Sequence, residues 1–500
     1  MIDPLQANIW DFVSARAAAN PNKPAVTFEG CSLAYAEFSR MVEALSAGLV
    51  ASGVRPGDRV AAKIGKSPQA LALALAAIRM GAVYIPVNPT FSKPETETLL
   101  EDASPRLFVS DTGDAALSMP ALPLADLARP DAPMPAVAPG GEQPCAMLYT
   151  SGTTGRPKGA QISHRNMCAT FIAFNRMWDI NASDRLLHVL PTYHAHGLLM
   201  ATLCPLFAGG EIVMLAKFDI DRVIELLPEV TVLMAVPTIH SRLLAHPGFD
   251  AAACRGLRLI TSGSAPLSPE LFDGIRAKAG ITLTDRYGST EAGMIAANPA
   301  GRERRGSVGK PLPGVEVRLM TPSGEAAQGE PGRIQVRSPH VFLGYWNRPD
   351  LEGDGVLPDG WFDTGDIGRF DEDGYLFIVG RDKDMIISGG FNVYPREVEI
   401  ALEACPGVAE AAVFGLPHPD FGEGVAAAIL PAPGATLTAE MVLSDVATRL
   451  ASYKRPKALF IVDSLPKNEL GKILKPALVT RYGDRQFLAD ATPSPSRKLR

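Results

Sequence analysis

Short apolar segments typical of strands alternate with helical segments in the first part of the chain. Ala25–Phe28, Gly57–Lys63 and Ala82–Val87 have the apolar and β-branched content of strands. Between the last two, Ser67-Pro68 supplies an N-cap and a first-turn proline ahead of an apolar helix over residues 70–80. Alternation of strand, helix and strand predicts an α/β layer architecture with parallel strands.

Length and composition narrow the protein class. Five hundred residues exceed what one hydrophobic core contains, so at least two domains are expected. A net charge of -6 argues against nucleic-acid binding, and six scattered cysteines without metal spacing indicate reduced thiols. The beginning of the chain lacks signal-peptide features, and the most apolar window, Ala70–Ile78, is too short to span a bilayer. We expect a soluble cytoplasmic protein, monomeric or homodimeric, with no membrane or nucleic-acid partner.

Residues Tyr149–Ala160 form a stretch rich in glycine and hydroxyl side chains, placed after an apolar strand signal. Glycines let backbone N–H groups approach a polyphosphate, hydroxyls donate hydrogen bonds, and Lys158 supplies a positive charge. Gly159 follows Lys158 where the Walker A pattern has serine or threonine, so this is not that motif. A phosphate-binding loop is the favoured interpretation, and a flexible linker is the alternative.

Two later stretches carry groups suited to a nucleotide. Ser262–Pro266 follows a strand as a tight turn, which would bring backbone groups against a ligand plane. In Thr284–Glu291, Tyr287 can stack on a purine, Thr290 can bond a phosphate, and Glu291 is a hard oxygen ligand suited to Mg²⁺.

Residues Gly306–Gly380 are dense in glycine and proline and contain short alternating strands, which predicts a distorted antiparallel barrel. Within this region Asp366 can accept hydrogen bonds from both ribose hydroxyls, and just beyond it Arg381 can reach ribose or phosphate. Taken singly, a turn aspartate and a surface arginine are the simpler interpretations.

The segment Pro191–Gly197 ends a strand and presents His194 and His196 two positions apart. A metal site is one interpretation, but no third ligand stands at useful spacing. Lining of a substrate pocket is therefore favoured.

These stretches, in this order, resemble the acyl- and aryl-adenylate-forming enzymes, which include acyl-CoA synthetases, firefly luciferases and peptide-synthetase adenylation domains. The resemblance covers nearly all of the chain. It implies ligation of a carboxylic acid to coenzyme A through an acyl-adenylate, with ATP, Mg²⁺ and coenzyme A as the small-molecule partners. Lys472, Thr154 and Glu291 would then be catalytic, with Glu291 as the metal ligand. The implied ATP contacts are Thr150, Ser151, Gly152, Thr153, Thr154, Gly155, Lys158, Gly263, Ser264, Ala265, Asp285, Tyr287, Gly288, Thr290, Asp366, Arg381 and Lys472.

The same resemblance implies the domain organisation. Residues 1–382 would form a large N-terminal domain of α/β subdomains plus the distorted β-barrel. Residues 383–489 would form a small mobile α+β domain carrying the catalytic lysine, and residues 490–500 a disordered tail. Lys383 would be the hinge between the two domains.

Two parts of the C-terminal domain would alternate at the active centre. Lys472 follows Pro466-Lys467-Asn468, where many relatives have Pro-Arg-Thr. Rotation of this domain would exchange the Lys472 loop for a segment that forms the pantetheine channel. The implied channel residues are Ser388, Gly389, Gly390 and Phe391.

Arg286 departs from fatty and aromatic acyl-CoA synthetases, which place a small or neutral residue there. A guanidinium facing an acyl pocket is costly unless it meets an anion. Arg242 is a candidate second cation, and His194 and His196 could add donors. This set resembles malonyl-CoA synthetases and implies malonate, or methylmalonate, as the acid. The alternatives are a structural salt bridge for Arg286 and a surface position for Arg242.

Two other functions stay open at this point. The same chemistry could act on a short- or medium-chain fatty acid or an aryl acid. A catalytically silent relative could bind nucleotide as a sensor, although the intact lysines and carboxylates argue against it. A peptide-synthetase module is disfavoured because no carrier domain follows Lys475.

Overall fold

The computed structural model describes residues 2–111, 117–151, 157–348, 355–388, 391–418, 421–468 and 471–483. In these ranges the α-helices are α1 (Ile9–Ala19), α2 (Tyr35–Ala51), α3 (Pro68–Arg79), α4 (Lys93–Ala103), α5 (His164–Trp178), α6 (Cys204–Ala208), α7 (Ile220–Leu226), α8 (Pro237–Ala245), α9 (Pro269–Ala279), α10 (Pro395–Glu403), α11 (Ala439–Val446) and α12 (Lys475–Tyr482).

By its internal contacts the chain divides into two units. The first comprises Met1–Arg318, Gln335–Thr364 and Asp371–Phe377, and the second comprises Leu319–Ile334, Gly365–Phe370 and Ile378–Arg500. The domain boundary between residues 382 and 383 stays a prediction.

Fifteen strands of the described chain build two sheets in the first unit. They are β1 (Pro24–Phe28), β2 (Cys31–Ala34), β3 (Arg59–Lys63), β4 (Val83–Pro86), β5 (Leu107–Ser110), β6 (Ala121–Leu122), β7 (Pro144–Ser151), β8 (Pro157–Ser163), β9 (Arg185–His188), β10 (Glu211–Met214), β11 (Val232–Ala235), β12 (Leu259–Ser262), β13 (Thr284–Ser289), β14 (Gly293–Ala297) and β15 (Lys310–Pro311).

The larger sheet has nine strands in the order β15-β14-β13-β12-β11-β9-β10-β1-β2. Its centre, from β13 to β1, is parallel, and β2, β14 and β15 add antiparallel pairs at the two edges. The smaller sheet has six strands in the order β6-β5-β3-β4-β7-β8, with only the β7–β8 pair antiparallel. The predicted α/β architecture with parallel strands is confirmed.

Local sequence signals set several helix ends. Ser67 Oγ accepts a hydrogen bond from the Ala70 backbone N–H at 3.1 Å at the start of α3, as its N-cap position predicts. The body of α3 is apolar all round, and it is buried all round, packed against α2. Ser163 and Asn166 form a reciprocal capping box at the start of α5, with bonds of 3.1 and 2.9 Å.

A five-stranded sheet follows in the chain. Its strands are β16 (Glu316–Thr321), β17 (Gly324–Glu325), β18 (Gly332–Arg337), β19 (Phe362–Phe370) and β20 (Leu376–Arg381), in the order β17-β16-β18-β19-β20. This sheet corresponds to the region for which the sequence predicts a distorted barrel.

From Ile386 onward the second unit is a small α+β structure. Its strands are β21 (Ile386–Ser388), β22 (Phe391–Val393), β23 (Val408–His418), β24 (Gly422–Pro431) and β25 (Ala458–Ile461). Side chains alternate along β23, so that Ala411 and Val413 join one core with α10 and α11, and Phe414 and Leu416 join another with α12. The implied channel residues Ser388 and Phe391 stand at the facing ends of two short paired strands, β21 and β22.

The mixed α/β fold, with a larger N-terminal part and a smaller C-terminal part, agrees with the sequence prediction. Within the described ranges, none of the helices combines the length and apolar content that crossing a bilayer requires.

Gly309 provides a test of how tightly the edge of the large sheet is packed. Its φ is +91°, and a Cβ atom there would lie 1.9 Å from the backbone carbon of Ala297. We expect Gly309→Ala to lower the free energy of unfolding by about 3 kcal/mol or more, because overpacking adds to the cost of a left-handed backbone. Thermal unfolding of the purified variant measures this loss.

Gly306→Ala is the matched control, because Gly306 also has a positive φ (+77°) but open space around its Cβ position. The free energy of unfolding of Gly306→Ala should fall only by the backbone cost of about 1–2 kcal/mol. Equal shifts in melting temperature for the two variants would contradict the packing argument.

Candidate active site

Loops that follow neighbouring parallel strands lie at one edge of the nine-stranded sheet. Strands β9, β11, β12 and β13 are adjacent and parallel, so their carboxyl ends meet at the same edge. His196 and Ser264 stand in the segments after β9 and β12, and Arg286 stands on β13. The fold therefore brings together three of the predicted site residues that are far apart in sequence.

His196 begins a π-helix, His196–Leu203. Such turns are rare and are often found at functional sites. The residue is 6% exposed, its Nδ1 lies 3.1 Å from Ser264 Oγ, and its Nε2 has no hydrogen-bond partner in the described residues. Burial holds the pKa of His196 well below its ordinary value, and the charge of Arg286 lowers it further. The ring is therefore neutral at pH 7.

Arg286 is a buried cation, 7% exposed. Its Nη1 lies 3.5 Å from Met294 Sδ, a weak acceptor, whereas Nε and Nη2 have no partner among the described residues. Burial lowers the pKa of Arg286 to about 10, and the nearby charge of Asp285 opposes this shift. The salt bridge that was the structural alternative for Arg286 is absent from the described part of the chain.

The turn after β12 is shaped around this guanidinium. A Cβ atom on Gly263 would lie 2.6 Å from Arg286 Cζ, so only glycine allows the side chain to lie this close to the backbone. The next residue, Ser264, has a φ of +69°, in the left-handed region that serine rarely adopts. Strained backbone of this kind clusters at functional sites.

Further histidines surround His196. His188 Nε2 lies 2.9 Å from the carbonyl oxygen of Gly197, and His240 Nε2 lies 2.9 Å from that of Thr261. Burial lowers the pKa of both, to about 4 for His240, so neither adds positive charge at pH 7. The ring of His194 lies beside Tyr193, with centroids 4.5 Å apart. The sequence analysis missed His188 and His240, which no local motif marks.

Arg242 lies on an exposed face of α8. Its guanidinium is 5.5 Å from the centre of the Phe218 ring. None of its described contacts involves Arg286 or His196, and its part in substrate binding stays a prediction.

The described parts of the phosphate-loop stretch belong to the paired strands β7 and β8. Thr150 pairs with Lys158, and Ser151 pairs with Pro157 at the end of the ladder. Lys158 is only 9% exposed. The predicted ligands Gly152, Thr153, Thr154 and Gly155 lie outside the described residues.

Tyr345 connects Lys158 with Glu291, although the sequence analysis did not identify it. Its hydroxyl donates to Glu291 Oε1 at 2.9 Å, and Lys158 Nζ lies 5.1 Å from the centre of its ring. The segment around Tyr345 pairs with β8: the Trp346 N–H donates to the Gly159 carbonyl at 2.8 Å. An aromatic residue after Gly344 is a weak signal, and only the fold shows what it contacts.

The remaining predicted ligands of the first unit lie near Arg286. Ala265 stands in the turn after β12, and Asp285, Tyr287 and Gly288 are on β13, followed by Thr290 in the turn to β14. Asp285 Oδ1 accepts the backbone N–H of Arg286 at 2.9 Å. A Cβ on Gly288 would lie 2.3 Å from the Gly293 carbonyl oxygen, so glycine is required at this close approach.

Asp366 and Arg381 belong to the second unit and pair with each other. Arg381 Nε donates to Asp366 Oδ1 at 2.9 Å. The Asp366 side chain is buried and that of Arg381 is exposed. The structure thus joins the two residues predicted to bind ribose.

The predicted hinge and channel residues are neighbours in the chain. Lys383 lies in the 3₁₀ turn Asp382–Asp384, and its side chain is outside the described residues, as are Gly389 and Gly390. Ser388 is buried and pairs with Phe391, whose exposed ring stacks on Tyr453 with centroids 4.7 Å apart.

Lys472 is exposed on a turn held by Asn468. The Asn468 side-chain oxygen accepts a hydrogen bond from the Lys472 backbone N–H at 2.9 Å, and the Asn468 backbone N–H donates to the Lys472 carbonyl at 2.9 Å. An asparagine in place of the relatives' threonine therefore keeps a side chain that fixes this turn. The predicted tail, residues 490–500, lies outside the described chain.

The donor set near Lys158 fits ATP with Mg²⁺ better than a protein-caged metal. The described residues contain no group of three or more His, Cys, Asp or Glu placed to hold a metal. Mg²⁺ is commonly held by one or two carboxylates together with substrate phosphates, and Glu291 is an available hard oxygen ligand of this kind.

Comparison with known proteins identifies the family. The AMP-binding enzyme model matches residues 13–346, and the AMP-binding enzyme C-terminal domain model matches residues 397–472. The crystal structure of ATP-bound MatB from Rhodopseudomonas palustris superposes with a TM-score of 0.90 and is 39% identical, covering 96% of this chain and 99% of that chain.

Two curated relatives show the range of acids in the family. A feruloyl-CoA synthase from Amycolatopsis sp is 38% identical over 482 residues, 94% of this chain and 98% of that protein. The mitochondrial malonate–CoA ligase of Mus musculus is 38% identical over 374 residues, 67% of this chain and 64% of that protein. The chain belongs to the AMP-binding enzymes and is an acid–thiol ligase, an AMP-forming acyl-CoA synthetase that uses ATP, Mg²⁺ and coenzyme A.

Proposed function

We propose that this ligase joins malonate, with methylmalonate as a related substrate, to coenzyme A through a malonyl-adenylate. The observation that carries the proposal is the buried Arg286, whose Nε and Nη2 have no partner in the described residues. An unpaired buried charge is strongly unfavourable, and an anion placed against it removes that cost. A diacid supplies such an anion at the end that does not react.

The neighbours of Arg286 support an anionic ligand. His196 is neutral and its Nε2 is unpartnered among the described residues, so it can donate one hydrogen bond without adding charge. Among the described residues no carboxylate forms an ion pair with the Arg286 guanidinium, although the nearby charge of Asp285 acts on it. Similarity to a malonate–CoA ligase points the same way.

A fatty or aryl acid is the second candidate, and the similarity to a feruloyl-CoA synthase favours it. Such a substrate would place an apolar group against the Arg286 guanidinium and leave the charge desolvated. That cost makes the diacid the better match to this site.

In the first step a carboxylate oxygen attacks the α-phosphate of ATP and pyrophosphate leaves, so the enzyme has to bring two anions together. The carboxylate is already ionised near pH 7, so no general base is required. In this proposal Lys158 and the Thr150–Thr154 loop hold the β- and γ-phosphates, and Lys472 stabilises the charge that develops between carboxylate and α-phosphate. Mg²⁺, when bound at Glu291, would neutralise phosphate charge.

The remaining nucleotide contacts follow from the family resemblance. The turn Gly263–Ala265 and Tyr287 would bind adenine, and Asp366 with Arg381 would bind ribose. For the second step, rotation about Lys383 would withdraw Lys472 and bring Ser388–Phe391 to the thiol of coenzyme A. The thiol then attacks the acyl carbonyl and AMP leaves.

Lys472→Ala tests the division between the two steps. We expect adenylate formation to fall about 100-fold or more, the typical loss when one charge-stabilising donor is removed. Thioester formation from supplied malonyl-adenylate should persist. Pyrophosphate release measures the first step and malonyl-CoA production the second.

Lys467→Ala is the control for loss of a lysine in the same segment, because Lys467 pairs with Glu410 at 2.6 Å. It should retain both steps. Equal loss of both steps in Lys472→Ala would refute the proposed division of labour.

Tyr345→Phe tests whether the Tyr345 hydroxyl positions Glu291. We expect the Mg²⁺ and ATP concentrations needed for half-maximal adenylation to rise about fivefold, which corresponds to one net hydrogen bond of about 1 kcal/mol. Titration of each in the pyrophosphate-release assay measures the change. Tyr375→Phe removes a hydroxyl that donates to the Arg302 carbonyl at 2.8 Å and should leave both titrations unchanged. An unaltered Mg²⁺ titration in Tyr345→Phe would exclude a positioning role.

Arg286→Ala tests the choice of acid. Loss of one partner of a buried charge pair costs about 3–5 kcal/mol, so kcat/KM for malonate should fall about 100-fold or more. Adenylation of butyrate, which lacks the second carboxylate, should be retained or increased. The two acids are compared in the same pyrophosphate-release assay.

Arg242→Ala tests the second candidate cation in the same assay, because Arg242 is an exposed arginine of the same unit. If kcat/KM for malonate changes less than twofold in Arg242→Ala, Arg242 is a surface residue without a part in substrate binding. If kcat/KM falls strongly for malonate but not for butyrate, Arg242 is the second cation. If wild-type enzyme preferred butyrate to malonate, the malonate proposal would fail and the ligase assignment would stand.

A further inference from the structure

The turn of Gly263 and Ser264 lies against both the Arg286 guanidinium and the His196 ring. His196 Nδ1 is 3.1 Å from Ser264 Oγ, and His196 Nε2 has no partner among the described residues. A neutral imidazole carries one N–H, and the partner of one nitrogen decides which nitrogen bears it. Ser264 is therefore placed to set the hydrogen-bonding character of Nε2.

The surroundings of His196 keep the ring neutral. Burial disfavours the charged form of the ring, and the charge of Arg286 disfavours it further. A second positive charge on His196 would repel the guanidinium in a site that is already desolvated. Because the ring is neutral, the open question is which of its two nitrogens carries the proton.

We propose that Ser264 donates its hydroxyl hydrogen to His196 Nδ1 and so fixes the tautomer in which Nε2 carries the proton. His196 Nε2–H then joins Nε and Nη2 of Arg286 as a set of donors for the far carboxylate of a short diacid. The opposite tautomer would turn a lone pair of Nε2 toward that anion and repel it. The inference rests on the proposed malonate specificity and adds Ser264 to it as a positioning residue.

The backbone of Ser264 supports a role for its side chain. A φ of +69° is strained for a residue other than glycine, and glycine would adopt it without strain. Gly263, immediately before, leaves room for the Arg286 guanidinium. The turn thus has glycine where the cation approaches and a strained serine where a hydroxyl meets the histidine.

The tautomer is measured directly by NMR on enzyme labelled with ¹⁵N at histidine, in which the two ring nitrogens have distinct shifts. The His196 signals are assigned by their loss in His196→Gln. We expect wild-type His196 to carry its proton on Nε2, and Ser264→Ala and Ser264→Gly to show a mixture of tautomers. Comparison of the two variants separates the hydroxyl from the backbone strain, because alanine removes only the hydroxyl whereas glycine removes both.

Substrate selectivity is the second measurement. The ratio of kcat/KM for malonate to that for butyrate should fall about tenfold in both Ser264 variants. Ser32→Ala is the control: it removes a hydroxyl that bonds Thr27 at the opposite edge of the nine-stranded sheet, and both ratio and tautomer should be unchanged.

Three outcomes would overturn the inference. They are a wild-type His196 protonated on Nδ1, a tautomer that does not respond to loss of the Ser264 hydroxyl, and a malonate-to-butyrate ratio that does not change with the tautomer. A wild-type enzyme that prefers butyrate would instead defeat the malonate proposal, while the NMR result would still decide the role of Ser264.

Discussion

The buried guanidinium of Arg286 sets the electrostatic conditions for everything at this edge of the large sheet. Transfer of an ion into a protein interior costs several kcal/mol unless a partner compensates it. The same burial that lowers the pKa of Arg286 to about 10 holds the pKa values of His196 and His188 well below their ordinary value. The cluster therefore concentrates its positive charge on Arg286 and keeps the nearby His196 neutral.

This arrangement depends on the parallel strands beneath it. Because β9, β11, β12 and β13 are adjacent and parallel, the segments after them meet at one edge regardless of their distance in the chain. Two glycines then allow closer approach than any other residue would: Gly263 against Arg286, and Gly288 against the neighbouring strand β14. In the smaller sheet, the β7–β8 hairpin positions Lys158, and the segment around Tyr345 pairs with β8.

Features whose physical cause is local could be predicted from the sequence, whereas contacts that depend on the fold could not. The cap at Ser67, the apolar helix that follows it, and the strand before the phosphate-loop stretch all depend on neighbours in the chain, and all three are found in the structure. A cation next to a nucleotide motif also stands out without a fold, which is why Arg286 was singled out. The link from Tyr345 to Glu291 and the contact of Ser264 with His196 depend on strand order and on a left-handed turn, so no spacing pattern could have predicted them.

On the proposed function, the two ends of the acid make different demands on the enzyme. The far carboxylate is unchanged by the reaction, so Arg286 would bind substrate and transition state equally and would decide which acid enters. At the reacting end, negative charge builds up only during transfer to phosphate, so the charge of Lys472 would matter most in the transition state and would govern rate. Selectivity and catalysis would thus rest on two cations in different units of the chain, and substitution in the buried site could change the acid without changing the adenylation chemistry.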